Sequence, residues 1–364
     1  MRAWSACALL LAAGVSAGAE WNWELPRGFP RPLIPAGNPL TQAKVELGRR
    51  LFYDKRMSVN GGQSCASCHK QELAFTDGRA RSEGTTGQLH PRGSMSLVNA
   101  AYAVTLTWAH PGMTLLEKQA LAPMLGTAPV ELGLAGHEAR FLETLRGVPI
   151  YRDLFARAFP GQAQAFTLDN VTKALAAFER TIVSLRSPYD RYRWGGEENA
   201  LSPAAKRGEV IFFSGERGGC FHCHGGWNFS GAVAGEGGAG PGRGGDGFAN
   251  TGVSQYAAPN RGVFEHTARS EDLGRFRAPT LRNIALTSPY MHDGSMATLE
   301  EVVDHYARGG RYSHPNKDSR MQPLPLSPED KRELIEFLRS LTDVEMTRDP
   351  RWSDPWEARQ RPAQ

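Results

Sequence analysis

Two pentapeptides carry the clearest chemistry in this 364-residue chain: Cys65-Ala66-Ser67-Cys68-His69 and Cys220-Phe221-His222-Cys223-His224. Two thiols separated by two residues can bond the two vinyl groups of one porphyrin, and the histidine that follows is then placed to ligate the iron from its proximal side. Each motif therefore reads as the attachment site of one c-type haem. A redox Cys-x-x-Cys pair, a zinc site assembled from both pairs, and ordinary disulfides are the competing uses of such cysteines. Each of them leaves the histidine after both pairs as a coincidence.

The elements that must position these motifs are legible around them. Gly48-Arg49-Arg50-Leu51-Phe52-Tyr53 precedes the first motif and Gly208-Glu209-Val210-Ile211-Phe212-Phe213 the second, a weak internal repeat that reads as two helix ends entering two haem loops. Ser202 as N-cap and Pro203 as first helical residue start the second copy. Between the copies, Val171, Leu175, Phe178, Ile182 and Leu185 recur at helical spacing and predict a long amphipathic helix running to a domain boundary near Ser187-Pro188. Residues 225–247 are rich in glycine and predict a mobile surface loop; a phosphate-binding loop is disfavoured because no strand precedes it and no helix follows at once. Thr298 with Glu301 forms a capping box and Gly309-Gly310 a stop, so residues 299–308 should be helical.

At the start of the chain, Arg2, the apolar run from Ala6 to Val15 and the small residues Ala17-Gly18-Ala19 read as a secretory signal peptide cleaved after Ala19. The run is too short to cross a bilayer, so no membrane anchor is expected. Cys7 lies at the start of the run instead of following it, and Trp4 stands where a lipoprotein signal carries leucine, which argues against lipidation. Export then removes Cys7 and leaves four cysteines, all inside the two motifs, in a periplasm where disulfides would be permitted. The remainder suits two domains, 20–187 and 188–364 after a signal peptide at 1–19. Lys+Arg 42 against Asp+Glu 38 gives a net charge of +4, which carries no nucleic-acid signature. Gly 40 and Pro 24 imply much loop, and the aliphatic periodicity is helical. The expectation is an all-α protein of two cytochrome c-like haem domains with long loops.

The group facing the second iron opposite His224 would set its potential and reactivity. The apolar face of the 299–308 helix is Leu299, Val302, Val303 and Tyr306, which turns Tyr306 inward and His305 about a hundred degrees away. From the residues alone Tyr306 is either a core aromatic with a hydrogen-bonded hydroxyl or a ligand, with Met296, Met291 and His292 as rivals.

Several separate motifs resemble those of the bacterial dihaem cytochrome c peroxidases and their MauG-like relatives, over nearly the whole chain beyond the signal peptide. They are Phe276-Arg277-Ala278-Pro279-Thr280-Leu281-Arg282-Asn283, then Leu286-Thr287-Ser288-Pro289-Tyr290-Met291-His292-Asp293-Gly294, together with Trp108, Leu116-Glu117-Lys118-Gln119-Ala120-Leu121-Ala122-Pro123 and Ala128-Pro129-Val130-Glu131-Leu132. The peroxidases ligate the second haem with a methionine on the next helix. At the matching place this chain has Tyr306, as the MauG-like branch does, so the resemblance implies Tyr306 as distal ligand, an anionic phenolate that stabilises high-valent iron. It further implies Trp108 between the haems, Gln119, Pro123 and Glu131 along the open face of the first haem, and Glu131 as the group that moves a proton between peroxide oxygens. Without the resemblance, Glu131 is an ordinary solvated residue and Trp108 a boundary aromatic. Thr85 stands where the peroxidases place a loop histidine over the first iron, and His90 reads as a loop residue, so that iron should be open. Thr287 and Pro289 match the family's calcium-binding backbone pair, whereas Gly93 stands in place of its asparagine and weakens the site.

The function implied is a periplasmic oxidoreductase in which hydrogen peroxide oxidises a haem pair, ligated by His69 and by His224 with Tyr306, that in turn oxidises a residue of a secreted partner protein. Leu106-Thr107-Trp108 and His305-Tyr306-Ala307-Arg308-Gly309-Gly310 resemble the MbnH-like branch, whose members convert a tryptophan of the copper-binding partner MbnP to kynurenine. Two other classes stay open: a cytochrome c peroxidase fed by a small cytochrome or copper protein, and a dihaem electron carrier with no open iron.

Overall fold

The computed structural model describes residues 18–26, 28–233 and 247–357. Its frame is two helix crossings of the same kind. The Gln42–Tyr53 helix starts at Thr41, whose hydroxyl accepts from Lys44 N at 3.3 Å, and packs on the Leu168–Arg180 helix. At that crossing a Cβ on Gly48 would collide with the Ala174 carbonyl, so the backbones approach as closely as they do only because the residue is glycine. The Pro203–Phe213 helix repeats the arrangement on the Pro328–Arg339 helix. Ser202 caps Ala205 N at 3.1 Å, and a Cβ on Gly208 would meet the Glu333 carbonyl. The sequence repeat is thus the pair of helices that touch most closely, each ending just ahead of a Cys-x-x-Cys-His turn. A methyl group at either glycine would force the helices apart at a cost of about 1–3 kcal/mol.

Two apolar clusters form around these crossings. The first gathers side chains between Leu40 and Ile182, including Leu47, Leu51, Phe52 and Phe178, and the second those between Tyr189 and Leu341. The C-terminal segment returns to the first cluster, where Met346 and Trp352 are buried. Trp352 Nε1 donates to the Thr181 carbonyl at 3.0 Å, and the Tyr53 hydroxyl donates to the Trp352 carbonyl at 2.6 Å.

Three expectations need amendment. The architecture is mostly helical but not all-α: Phe248–Ala249 pairs antiparallel with Phe276–Arg277 in a short ribbon, which brings Arg277 N to the Trp108 carbonyl at 2.9 Å. The amphipathic helix ends at Arg180. Ile182 and Leu185 are buried as the periodicity requires, but in extended chain whose polar groups are met by Asn99: its N donates to the Ile182 carbonyl, and its Oδ1 accepts from Ser184 N, both at 2.9 Å. In the segment read as a surface loop, residues 234–246 lie outside those described, and Asn228, Phe229, Ser230, Ala232 and Val233 are buried. Asn228 Oδ1 accepts from Asn99 Nδ2 at 2.8 Å, which draws that stretch inward.

The helix after the second motif runs Leu299–Ala307 with its Thr298/Glu301 capping box formed. No helix among the described residues is long and apolar enough to cross a membrane. Residues 1–17 of the expected signal peptide lie outside the described residues.

Candidate functional site

The second motif forms a one-turn helix, Phe221–His224, on the wall of a cavity of about 550 Å³ that Cys220, Cys223, His224 and Tyr306 all line. His224 Nδ1 donates to the carbonyls of Phe229, at 3.2 Å, and Pro279, at 3.0 Å. A carbonyl can only accept, so this pairing fixes the tautomer and leaves Nε2 as the basic nitrogen. Phe229 reaches its position at φ +49°, a left-handed conformation that a bulky residue adopts only where its surroundings impose it. The first motif repeats the device. His69 Nδ1 donates to the Phe75 carbonyl at 2.8 Å, and Ala74 and Phe75 have φ +50° and +59°. Burial lowers the pKa of both imidazoles and keeps them neutral, the form that ligates a metal.

Tyr306 lies on the last turn of the Leu299–Ala307 helix with its phenol inside the cavity. Burial raises its pKa, the neighbouring Cys223 and Cys220 raise it further, and a hydrogen bond with the Thr251 side chain opposes them. His305 is fully buried but faces elsewhere, with its Nε2 3.0 Å from the Thr251 carbonyl. Of the rival ligands, Met291 and His292 line the cavity, whereas Met296 is buried in the second apolar cluster. His292 stacks flat on Phe276, centroids 3.6 Å apart.

The residues present fit a haem. The four cysteines of the two motifs are free thiols, each pair followed by a histidine whose Nδ1 is bound to a carbonyl and whose Nε2 is left free to ligate. Arg277, half-buried on the cavity wall, donates from Nη1 to the Thr105 carbonyl but has an enclosed Nε with no partner, and desolvation pushes its guanidinium down to about 10. A partly desolvated cation with an unmet donor suits an anionic group, and a porphyrin propionate would be one.

Around the first motif the chain holds a half-buried carboxyl. Burial pushes Glu131 up to about 6, and its charge acts on both Cys65 and Cys68. Backbone bonds fix the segment: Thr85 N donates to the Glu131 carbonyl at 2.7 Å and Leu132 N to the Pro123 carbonyl at 2.9 Å. Gln119 and Pro123 sit half-buried on consecutive short helices, Leu116–Gln119 and Leu121–Leu125. Glu117 ties these to the long helix by a bidentate pair with Arg180, at 2.7 and 2.9 Å. His90 is bound into its own turn, its Nδ1 accepting from Arg92 N at 3.1 Å.

Trp108 lines the cavity of the second motif, and so do Gly93–Ser96 and Thr76–Arg79 from the first half of the chain. Its indole Nε1 donates to the Gly93 carbonyl at 2.9 Å. Thr287 and Pro289 lie on the same wall, with the Thr287 hydroxyl donating to the Ile284 carbonyl at 3.1 Å. Cys65, Cys68, His69, Gln119, Pro123 and Glu131 are not among the residues of that wall.

Residues 42–199 match the family described as di-haem cytochrome c peroxidase. The methylamine utilization protein MauG of Methylorubrum extorquens is 36% identical over 307 residues, 84% of this chain and 80% of that protein. The chain belongs to the di-haem cytochrome c peroxidase and MauG family. The cytochrome-c peroxidase IdrP1 of Denitromonas iodatirespirans is 34% identical over 349 residues, 86% of this chain and 85% of its own. A crystal structure of a MauG-like protein associated with microbial copper homeostasis superposes with a TM-score of 0.87 at 42% identity, covering 92% of this chain and 99% of the other. The diheme peroxidase BthA from Burkholderia thailandensis shares the fold at 20% identity and a TM-score of 0.68, covering 87% and 91%.

Membership in this di-haem family implies two c-type haems, one for each Cys-x-x-Cys-His motif. Sequence reading missed the two phenylalanine carbonyls that orient the histidines, since nothing in a phenylalanine announces a positive φ. It also passed over Arg277 on the cavity wall, although an arginine between apolar Phe276 and Ala278 was a signal, and Glu179, a buried carboxyl within electrostatic reach of Cys65.

Proposed function

We propose that this protein uses hydrogen peroxide and its two haems to oxidise a residue of a secreted partner protein. The observation that carries the reading is Tyr306, a tyrosine inside the cavity shared with Cys220, Cys223 and His224, where a peroxidase of the usual kind carries methionine. Bound at the two motifs, the haems supply the redox chemistry. The chain does the rest. His69 and His224 would each hold one iron, and Tyr306, once deprotonated, would offer the second an anionic oxygen that favours oxidised iron. Glu131, raised by burial to about 6, would carry a proton from one peroxide oxygen to the other, with Gln119 and Pro123 nearby on the two short helices. Trp108, fixed at both its indole and its carbonyl, bridges the two halves.

The residue oxidised is a tryptophan, converted to kynurenine, on a copper-binding partner resembling MbnP; the 42% identity to a MauG-like protein associated with copper homeostasis supports that choice. Residues 1–19 act as a signal peptide to the periplasm, 20–187 carry the peroxide-reactive haem and 188–364 the His/Tyr haem. A calcium ion at the Thr287 and Pro289 carbonyls belongs to the same reading, with water in place of the side chain that Gly93 lacks. The second reading, a cytochrome c peroxidase drawing electrons from a small redox protein, is favoured by the likeness to IdrP1. Mass spectrometry of the partner after incubation with holoenzyme and peroxide decides between them: the reading predicts an oxidised tryptophan, and an unmodified partner beside rapid peroxide consumption with reduced cytochrome would replace it with the second.

A further inference from the structure

Beside Tyr306 the ligand helix grips one residue at two points. His305 and Tyr306 are consecutive on the Leu299–Ala307 helix, their rings meeting edge-on with centroids 5.2 Å apart, and both reach Thr251. His305 Nε2 donates to the Thr251 carbonyl at 3.0 Å. The Thr251 side chain is hydrogen-bonded to the Tyr306 phenol, and both residues line the cavity of the second motif. His305 is fully buried, so water does not compete for its bond to Thr251.

The backbone around Thr251 is tied on both sides. Arg311 N and Tyr312 N each donate to the Gly252 carbonyl at 3.0 Å, and Gly252 N donates to Asn250 Oδ1 at 3.0 Å, an oxygen that also accepts from the Tyr256 hydroxyl at 2.6 Å. Gly310, at φ +100°, donates its N–H to the His305 carbonyl at 2.9 Å, and a Cβ there would come within 2.9 Å of the Thr251 carbonyl oxygen. The glycine pair that ends the helix therefore also lets the Thr251 segment lie against it.

We propose that Thr251 is a positioning residue for the second haem, its hydroxyl donating to the ligating Tyr306 oxygen while His305 holds it in place by the carbonyl. The inference rests on the reading above that makes Tyr306 the distal ligand. A ligating phenolate has lone pairs and no proton, so a hydroxyl bonded to it can only donate. A donated hydrogen bond draws charge from the phenolate oxygen and moderates what that oxygen gives to the iron. The opposite ligand is tuned the other way, because the carbonyls of Phe229 and Pro279 accept from His224 Nδ1 and make its Nε2 more basic. Thr251 thus limits how far the phenolate favours oxidised iron, and the same chain without a donor at 251 would hold that iron at a lower potential.

Resonance Raman and absorption spectra of the ferric holoprotein, with a redox titration, test the bond. In the wild type the phenolate C–O stretching band should shift between H2O and D2O, since the donated proton exchanges; this reading needs no variant. Thr251→Val keeps the side-chain shape and removes the hydroxyl. Its phenolate charge-transfer absorption should move to longer wavelength, its C–O band should lose the isotope shift, and the midpoint potential of the His224 haem should fall, with the spectrum of the His69 haem unchanged. Thr251→Ser should restore the wild-type values. A wild type without the isotope shift overturns the proposal, as does Thr251→Val with wild-type absorption and potential, or Thr251→Ser displaced as far as Thr251→Val. A wild type with no phenolate charge-transfer absorption overturns the proposal together with Tyr306 as ligand.

Discussion

The Trp108 indole Nε1 and the Gly93 carbonyl oxygen are hydrogen-bonded at 2.9 Å, which pins the ring on the wall of the second cavity from a loop of the first half of the chain. Trp108→Phe keeps a ring there and removes the bond, worth about 1 kcal/mol. The variant should fold and bind both haems, and stopped-flow spectra with peroxide should show a response confined to the haem at His69. A response of both haems at the wild-type rate would make Trp108 a packing residue.

Glu131→Gln should slow the reaction with peroxide by about a hundredfold or more, since the amide cannot carry the proton. Burial holds the carboxyl at about 6, so it is protonated below that pH and a base above it. The wild-type rate should therefore rise as pH increases through about 6 and then level off, and the variant's profile should be flat. A shared profile would remove Glu131 from the chemistry.

Glu179 governs stability instead. It is buried beside the Arg180–Glu117 pair with Oε2 unpartnered, and burial raises it to about 8 from an ordinary 4.5. Between those values the folded chain keeps a proton that the unfolded chain releases. The contribution to stability is thus complete below about 4.5 and is lost as pH rises through about 8, by at most about 1.4 kcal/mol for each pH unit in that window. Glu179→Gln should flatten this part of the denaturant-unfolding profile against pH; an unchanged slope would show that Glu179 ionises freely in the fold.

The parts of the fold legible in the sequence were those set by local chemistry. Ser202-Pro203 and Thr298 with Glu301 start helices because capping is satisfied within three residues, and the Cys-x-x-Cys-His spacing is imposed by the porphyrin. What escaped depends on distant partners. The periodicity through Ile182 and Leu185 records burial, but the backbone there bonds to Asn99 and so leaves the helix. Asn228 and Phe229 stand among glycines that suggest a surface loop, yet Asn99 and His224 draw them inside. Tyr306 was readable as inward-facing from helical spacing alone, whereas its standing as a ligand came from resemblance and not from any pattern of residues.

The central claim is that Tyr306 ligates the second haem, and the ferric spectrum of Tyr306→Phe beside wild type tests it most directly. The phenyl ring keeps the helix face and the packing, so the account predicts a variant with both haems attached, loss of the phenolate charge-transfer absorption, and a change of spin state at one haem only. A variant whose ferric spectrum is indistinguishable from wild type would contradict the account and leave Tyr306 as a core aromatic.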